Sequence, residues 1–493
     1  MAMLFNHSDA PKEPGASEPL LPRASRPRNG AVRLWVLRLG VAVATIGGVL
    51  ALLNLSLHDH NGGSDDVGSE PDKGGEVPPL SAASLEACAW PLLEPHVSLL
   101  SVLAISREEY LARQQTLASA LAAAGADAFV AEPSASTEYY ANISTSFDLS
   151  ERPFLMLLEA ETGVFSYLVP RFETGRIAGL DMVYDNNDRG NTNQTEVAVA
   201  WAEEESPYEV LARARPGWKK VMLDEHARYM IAAGLQSAGI EVVPMSETVQ
   251  SLRAVKTEAE IAILRGINTF TLELVRSVQK CIRVGMAQEA VVAASQNLFS
   301  RARVGEGFWA IVLFGDQAAY PHGGKHGKTL GEGEFALIDI GSKLHGYGSD
   351  VTRTILPSGV EVSDELMGIW YTIFAAQSAG FDRMRVNETC SDVDAASRVV
   401  VKEAGYGPFY THRLGHGLGL EMHEHPYLNG ANSEKLKLGE VVTNEPGIYV
   451  TTEQAKTIGK IVGFGVRLED PILVTDKGGE PMTGRRARSP YDP

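Results

Sequence analysis

The chain has 493 residues, is 44% hydrophobic and carries a net charge of −18. That length allows two or three domains with a large core, and a surface this acidic repels phosphate, which excludes nucleic acid as a partner. Three cysteines, Cys88, Cys281 and Cys390, are too few for a disulfide framework; they read as buried small apolar residues, with one bridge left open.

Residues 1–33 are rich in Pro, Ser, Ala and Arg and show no hydrophobic period, which predicts a disordered tail. Leu39 to Leu57 then runs without a charge. At about 1.5 Å per residue it would span about 28 Å, close to the ~30 Å hydrocarbon core of a bilayer. With Leu34 to Leu37 added and Arg38 snorkelling, residues 34–57 are expected to be a transmembrane anchor. A cleaved signal peptide and a helix of a soluble core are the rival readings. The long polar tail and the lack of a small-x-small site just after the run speak against the first, and the polar flanks against the second. Lys12, Arg23, Arg26, Arg28, Arg33 and Arg38 all precede the run. The tail is therefore expected in the cytosol, and the rest of the chain in a lumen or outside the cell. There the sequons at Asn142, Asn193 and Asn387 would be open to glycosylation in a eukaryotic host. Residues 58–84 read as a flexible linker of Gly, Asp, Glu, Pro and Ser, and His58 and His60 belong to it.

Arg107 to Ala124 has apolar residues three and four apart and stops at Gly125, which predicts an amphipathic helix. Strands are predicted at Ala128–Val130, Phe154–Leu158, Tyr167–Val169, Lys219–Leu223 and Glu241–Pro244, with a helix over Glu225–Ala238. This alternation makes residues 85–251 an α/β domain. Thr257, with Glu260 three residues on, can cap a long helix reaching about Val284. From 252 to 485 helices mix with glycine-punctuated strands in an α+β pattern, and the last eight residues read as loose.

Five residues in this second half have the chemistry of metal ligands: Asp339, Asp350, His416, Glu445 and Glu469. Asp339 ends the apolar run Phe335–Ile340, where an unpaired buried charge is costly. Asp350 follows after Gly341 and Gly346, and a hairpin between them would return one carboxylate to the other. Two adjacent carboxylates repel unless a cation sits between them, and hard divalent ions favour that oxygen pair. His416 stands among Gly415, Gly417 and Gly419, which let backbone and substrate approach. Glu445 follows the strand-like Val441-Val442, and Glu469 follows Gly465–Leu468. Four carboxylates and one imidazole suit a dinuclear site. Each residue alone has an ordinary reading as a turn or loop residue; the set in this order is far more specific.

In type, order and spacing these residues resemble the pita-bread metallopeptidases: aminopeptidase P, prolidase and methionine aminopeptidase. The resemblance covers about 252–485. It implies that Asp350 and Glu469 bridge two divalent ions, that Asp339, Glu445 and His416 complete the set, and that Mn2+ is the favoured metal, with Co2+, Fe2+ or Zn2+ as alternatives. It further implies catalytic and substrate-binding roles for His322 and His423, a proton relay for Glu445, and pocket positions for His412 and Arg467. Ala126–Val130, Glu138-Tyr139-Tyr140 and Leu252–Lys256 are similar to the creatinase-type amino-terminal domain and its junction, which accompanies the proline-specific members and often helps them form homodimers. The expected fold is a creatinase-like domain followed by a pita-bread catalytic domain. The expected activity is hydrolysis of Xaa-Pro bonds in dipeptides or at peptide N-termini.

An imide nitrogen has no N–H, so a proline site needs shape and apolar walls. Phe308, Trp309 and Tyr320 are the candidate walls. An insertion at Thr451–Ile461 is expected to alter the pocket rim. A non-peptidase hydrolase or lyase on the same metal-binding fold is the alternative. A metal-free binding protein is disfavoured by retention of the whole ligand set.

Overall fold

The computed structural model describes residues 80–143, 149–177, 183, 198–324, 327–460 and 462–493. The expected tail and anchor, most of the linker and the Asn193 sequon lie outside the described residues. Among the described residues no helix is long and apolar enough to cross a membrane.

The first half is built on a mixed six-stranded sheet. Its strands are β1 (Ala128–Ala131), β2 (Leu155–Glu159), β3 (Phe165–Pro170), β4 (Ala198–Trp201), β5 (Lys220–Leu223) and β6 (Glu241–Pro244). They run in the order β4-β3-β2-β1-β5-β6. β1 pairs antiparallel with β2 and parallel with β5, so it sits at the centre, and all four of its residues are buried. The helix Arg107–Ala123 forms as expected; Ser106 caps it by accepting from the Glu109 amide. Among the elements not foreseen here are β4, the helices Ala135–Ala141 and Glu247–Ala254, and the helix Pro207–Ala214, which starts on proline behind the Ser206 cap.

The second half opens on the helix Glu258–Cys281. Thr257 and Glu260 form the expected capping box, each side chain bonding the other's backbone amide. Thr257→Ala is expected to cost about 1 kcal/mol, read as a shift in the urea midpoint with unchanged slope. Ile263, Leu264, Ile267, Phe270 and Leu274 of this helix share one core with Phe129, Tyr139 and Met156 of the first half and with Ile338 of the second. The two halves are thus joined by continuous apolar packing.

The described strands of the second half all pair antiparallel. β7 (Trp309–Phe314), β8 (Ala336–Gly341) and β11 (Val351–Ile355) form one sheet, with β8 in the middle. The short ribbon of β9 (Lys343–Leu344) and β10 (Tyr347–Gly348) closes the hairpin. His345 and Gly346 both take positive φ there, as a two-residue turn requires. A second sheet has the order β13-β12-β14-β17-β18. Its strands are β12 (Gly415–Gly417), β13 (Glu424–Leu428), β14 (Val441–Asn444), β17 (Asp470–Thr475) and β18 (Gly478–Pro481). β15 (Gly447–Val450) and β16 (Phe464–Arg467) make a separate ribbon.

Three expectations are corrected. Cys88 and Cys281 are not unpaired apolar residues: they form a disulfide across 193 residues, and only Cys390 is free and buried. The physical reason is a helix at Ala82–Leu93, capped by Ser81, that packs on Glu258–Cys281. The last eight residues are not loose. The Leu356 amide donates to the Pro490 carbonyl at 3.0 Å, Arg276 Nε donates to the Pro493 carbonyl at 2.8 Å, and Ala487 is buried. The insertion at Thr451–Ile461 folds into a short helix, Thr452–Thr457, whose Ala455 is buried in the second core; none of its described residues reaches the site cavity.

Candidate metal centre

One cavity of about 650 Å³ gathers all nine residues singled out from the sequence: Asp339, Asp350, His416, Glu445, Glu469, His322, His412, His423 and Arg467. Hairpin register brings the first two together. Asp339 on β8 faces Thr352 on β11, and Ile340 faces Val351, so Asp350 lies one step before the pairing begins. The Asp350 amide donates to Asn268 Oδ1 at 3.0 Å, tying it to the long helix. Gly341 cannot be larger: a Cβ there would lie 1.8 Å from the Ser349 carbonyl and 2.5 Å from the Trp309 ring nitrogen. Glu445 leaves the end of β14, and Glu469 sits between β16 and β17.

Hydrogen bonds orient these groups. His416 Nδ1 lies 3.1 Å from the Gly417 carbonyl. A carbonyl only accepts, so Nδ1 carries the proton and Nε2 turns its lone pair inward. Nε2 is 3.2 Å from Glu445 Oε1 and 3.8 Å from Asp350 Oδ2. The Thr352 hydroxyl donates to Glu469 Oε2 at 2.6 Å and receives Arg467 Nε at 3.1 Å. Arg467 also pairs with Asp339 Oδ2 and donates to the Tyr449 hydroxyl at 2.8 Å. Tyr449 in turn meets His412 Nε2 at 2.8 Å, while His412 Nδ1 lies 2.6 Å from the Arg413 carbonyl. The same tautomer argument makes His412 neutral with Nε2 accepting, and burial holds its pKa below the usual histidine value.

The electrostatics leave room for a cation. Burial, reinforced by the charges of Asp339 and Glu445, pushes Asp350 well above the ordinary carboxylate range. Burial, with Asp350 and Glu445 next, does the same to Glu469. Burial also raises Asp339 against the pull of Arg467. Glu445 goes the other way: burial would raise it, but the charge of Arg467 pulls it down, and His416 and His412 pull it down further only when protonated. Asp339 Oδ1 is buried and has no hydrogen-bond partner. Ligand atoms of Asp350, His416 and Glu469 lie within 4.8 Å of one another. A buried, mutually repelling oxygen set with an orphaned carboxylate oxygen and an inward imidazole fits divalent metal.

The cavity wall is apolar at Trp309, Ile311, Pro321 and Met422. Of the expected wall residues only Trp309 lines it; Phe308 packs 5.8 Å from Phe299, and Tyr320 is 50% exposed. His322 and His423 are exposed to the cavity, and the His423 ring meets that of His416 edge-on at 4.2 Å. Thr352, Arg413 and Tyr449 were not singled out from the sequence. Their roles come from partners far along the chain, and the only local signal was Arg413 beside His412.

Comparison with known proteins agrees with this architecture. Residues 262–476 match the model of metallopeptidase family M24, and residues 113–255 match the creatinase/prolidase N-terminal domain. An uncharacterised peptidase of Schizosaccharomyces pombe is 38% identical over 432 residues, covering 84% of this chain and 90% of that one. The chain therefore belongs to the M24 metallopeptidases, with a creatinase-like first domain before a pita-bread catalytic domain. Among solved structures, it is similar to a dipeptidase of Mycobacterium ulcerans, with TM-score 0.67 and 26% identity over 78% of this chain and 98% of that one. It is also similar to an Xaa-Pro dipeptidase of Bacillus anthracis, with TM-score 0.61 and 26% identity over 78% and 99%. The family implies divalent metal ions and peptide substrates.

Proposed function

We propose that this metallopeptidase hydrolyses the bond before proline, and that Xaa-Pro dipeptides are its favoured substrates. The observation that carries the reading is Arg413. It lines the cavity, stacks at 4.6 Å on Tyr427, and among the described residues its guanidinium makes no hydrogen bond or ion pair. A free guanidinium beside an apolar wall suits a proline ring and its terminal carboxylate. A longer peptide has no carboxylate at that position.

Asp339, Asp350, His416, Glu445 and Glu469 would hold the metal, with manganese favoured by the oxygen-rich set. Divalent ions bound there supply Lewis acidity and activate water for attack on the scissile carbonyl. Glu445 carries the proton towards the leaving imide nitrogen, which has no proton of its own. The exposed rings of His322 and His423 hydrogen-bond the substrate and steady charge on the carbonyl oxygen. Trp309 and Ile311 exclude water from the proline side. The name of the Bacillus anthracis relative agrees with this reading.

The test compares Ala-Pro, Ala-Pro-Ala and Met-Ala-Ala with manganese-loaded protein. Ala-Pro should be cleaved fastest and Met-Ala-Ala not at all; preference for the tripeptide sinks the dipeptidase reading, and cleavage of Met-Ala-Ala sinks proline specificity. Arg413→Met should raise KM for Ala-Pro about 10- to 100-fold, the loss of one charge-assisted contact, and leave Ala-Pro-Ala nearly unchanged.

The proposal extends to the sequence-derived anchor at 34–57, the luminal or extracellular placement of the catalytic domain, and a homodimer. The Cys88–Cys281 bridge supports an oxidising compartment. Alkaline extraction should leave the full chain with membranes, and protease outside sealed vesicles should spare the catalytic domain. Digestion of that domain would refute the placement.

A further inference from the structure

The junction motif Leu252–Lys256 has no part in the chemistry above, yet it touches the loop that bears His423. Two ion pairs in matching register join them. Arg253 pairs with Glu421, and Lys256 pairs with Glu424, so two cations three residues apart grip two carboxylates three residues apart, and His423 lies between those carboxylates. The second pair is almost wholly buried, at 1% and 4% side-chain exposure. Gly419 makes room for it: a Cβ there would lie 2.6 Å from Glu424 Oε1. Arg253 is also buried, and the first domain adds a further contact, His226 Nε2 at 3.2 Å from Glu421. The junction itself is pinned: Tyr139 of the first domain donates to the Leu252 carbonyl at 2.8 Å, and the Lys256 amide donates to the Gly439 carbonyl at 2.9 Å.

His423 needs such support. Among the described residues its ring makes no hydrogen bond; it meets His416 edge-on and otherwise feels only the charges of neighbouring site residues. Its position is therefore set by the backbone of 419–424, which is held by the two ion pairs and by the Gly348 amide donating to the Gly419 carbonyl at 2.8 Å. A histidine that must meet charge on a reacting carbonyl is useful only if it is already in place.

We infer that Arg253 and Lys256 are positioning residues, through which the first domain and its junction hold His423 in the geometry hydrolysis needs. This rests on the proposed role of His423 in the same site. It gives the first domain a part in catalysis that requires no contact with the substrate.

The test is a double-mutant cycle with a second, activity-independent readout. Lys256→Met/Glu424→Gln removes both charges of the buried pair together, so neither is left unpaired. With manganese-loaded protein and Ala-Pro, it should lower kcat about tenfold, with KM and bound metal unchanged. In a His423→Ala background the same pair of changes should alter kcat less than about twofold, since the positioned group is gone. Equal losses in both backgrounds, or no loss in the wild-type background, overturn the inference. Arg253→Gln against His423→Ala gives a second cycle should the buried variant fail to fold, because Glu421 is part-exposed and keeps water when unpaired; Arg253→Lys should recover most of the rate. Amide hydrogen exchange should rise across 419–425 in either variant and not across Glu258–Cys281. Unchanged exchange across 419–425 overturns the inference even if wild-type protein cleaves no Xaa-Pro peptide, an outcome that would refute the proposed function separately.

Discussion

Glu469→Gln is expected to lower hydrolysis of Ala-Pro at least about 10³-fold while leaving the chain folded. Glutamine has nearly the same volume, so the buried site, 2% exposed, is not emptied. The Thr352 hydroxyl can still donate to the amide oxygen where it now donates to Oε2. What disappears is one negative charge from a set of four carboxylates that share a small cavity. With metal bound, that charge holds the ions; without metal it is a burden, since burial and the charges of Asp350, Glu445 and Asp339 all oppose it. Activity and stability should therefore part company. In chelator the variant should melt no lower than wild type, and in manganese it should gain less on metal addition. Metal analysis, rates and melting curves with and without chelator check this. Near-normal activity, or a variant that melts well below wild type in chelator, would refute the account of the site.

Arg353→Met is expected to cost about 3–5 kcal/mol of stability, the range for breaking one side of a buried pair. Arg353 and Asp470 are both fully buried and meet at 2.6 Å. The same guanidinium donates to the Thr352 and Glu469 carbonyls. Asp470 also accepts from Gln377 at 2.9 Å and from Thr483 at 2.6 Å. Without Arg353 the carboxylate keeps those two neutral donors and loses its hydrogen-bonded counter-charge, with only the more distant Arg486 left to attract it. Arg353→Met/Asp470→Asn should recover much of the loss, because asparagine is neutral and its oxygen can still accept. Urea unfolding of Arg353→Met, Asp470→Asn and the double variant decides it; a double variant as weak as the summed singles would show that the pair does not act as a pair.

The sequence is most legible where a residue violates its local surroundings. An aspartate at the end of Phe335–Ile340 has no reason to be there unless something pairs with it, and the β8–β11 register confirms the hairpin that returns Asp350 to it. Capping is similarly local, which is why Thr257 and Glu260 could be read in advance. What stayed hidden depends on distance or on weak pattern. The helix Ala82–Leu93 contains Pro91 and follows a polar, proline-bearing stretch, so its start merged with the linker. β4 is a four-residue edge strand, Ala198–Trp201, with only one residue buried. The Cys88–Cys281 bridge spans 193 residues. Tyr449 looked like any strand tyrosine; only the folded chain places its hydroxyl between Arg467 and His412.

The order of the site residues along the chain also has a consequence in time. Asp339 and Asp350 are joined by a local hairpin and can meet as soon as β11 is made. Glu469 and Asp470, which Arg353 of β11 holds, come from the far end of the catalytic half, beyond β16. At a synthesis rate of about 5–20 residues per second, the interval between Asp350 and Glu469 is on the order of ten seconds. Throughout it the nascent protein holds the two hairpin carboxylates without the complete set. A ribosome-bound fragment is thus unable to cut peptides, and hydrolytic competence arrives only with the last strands.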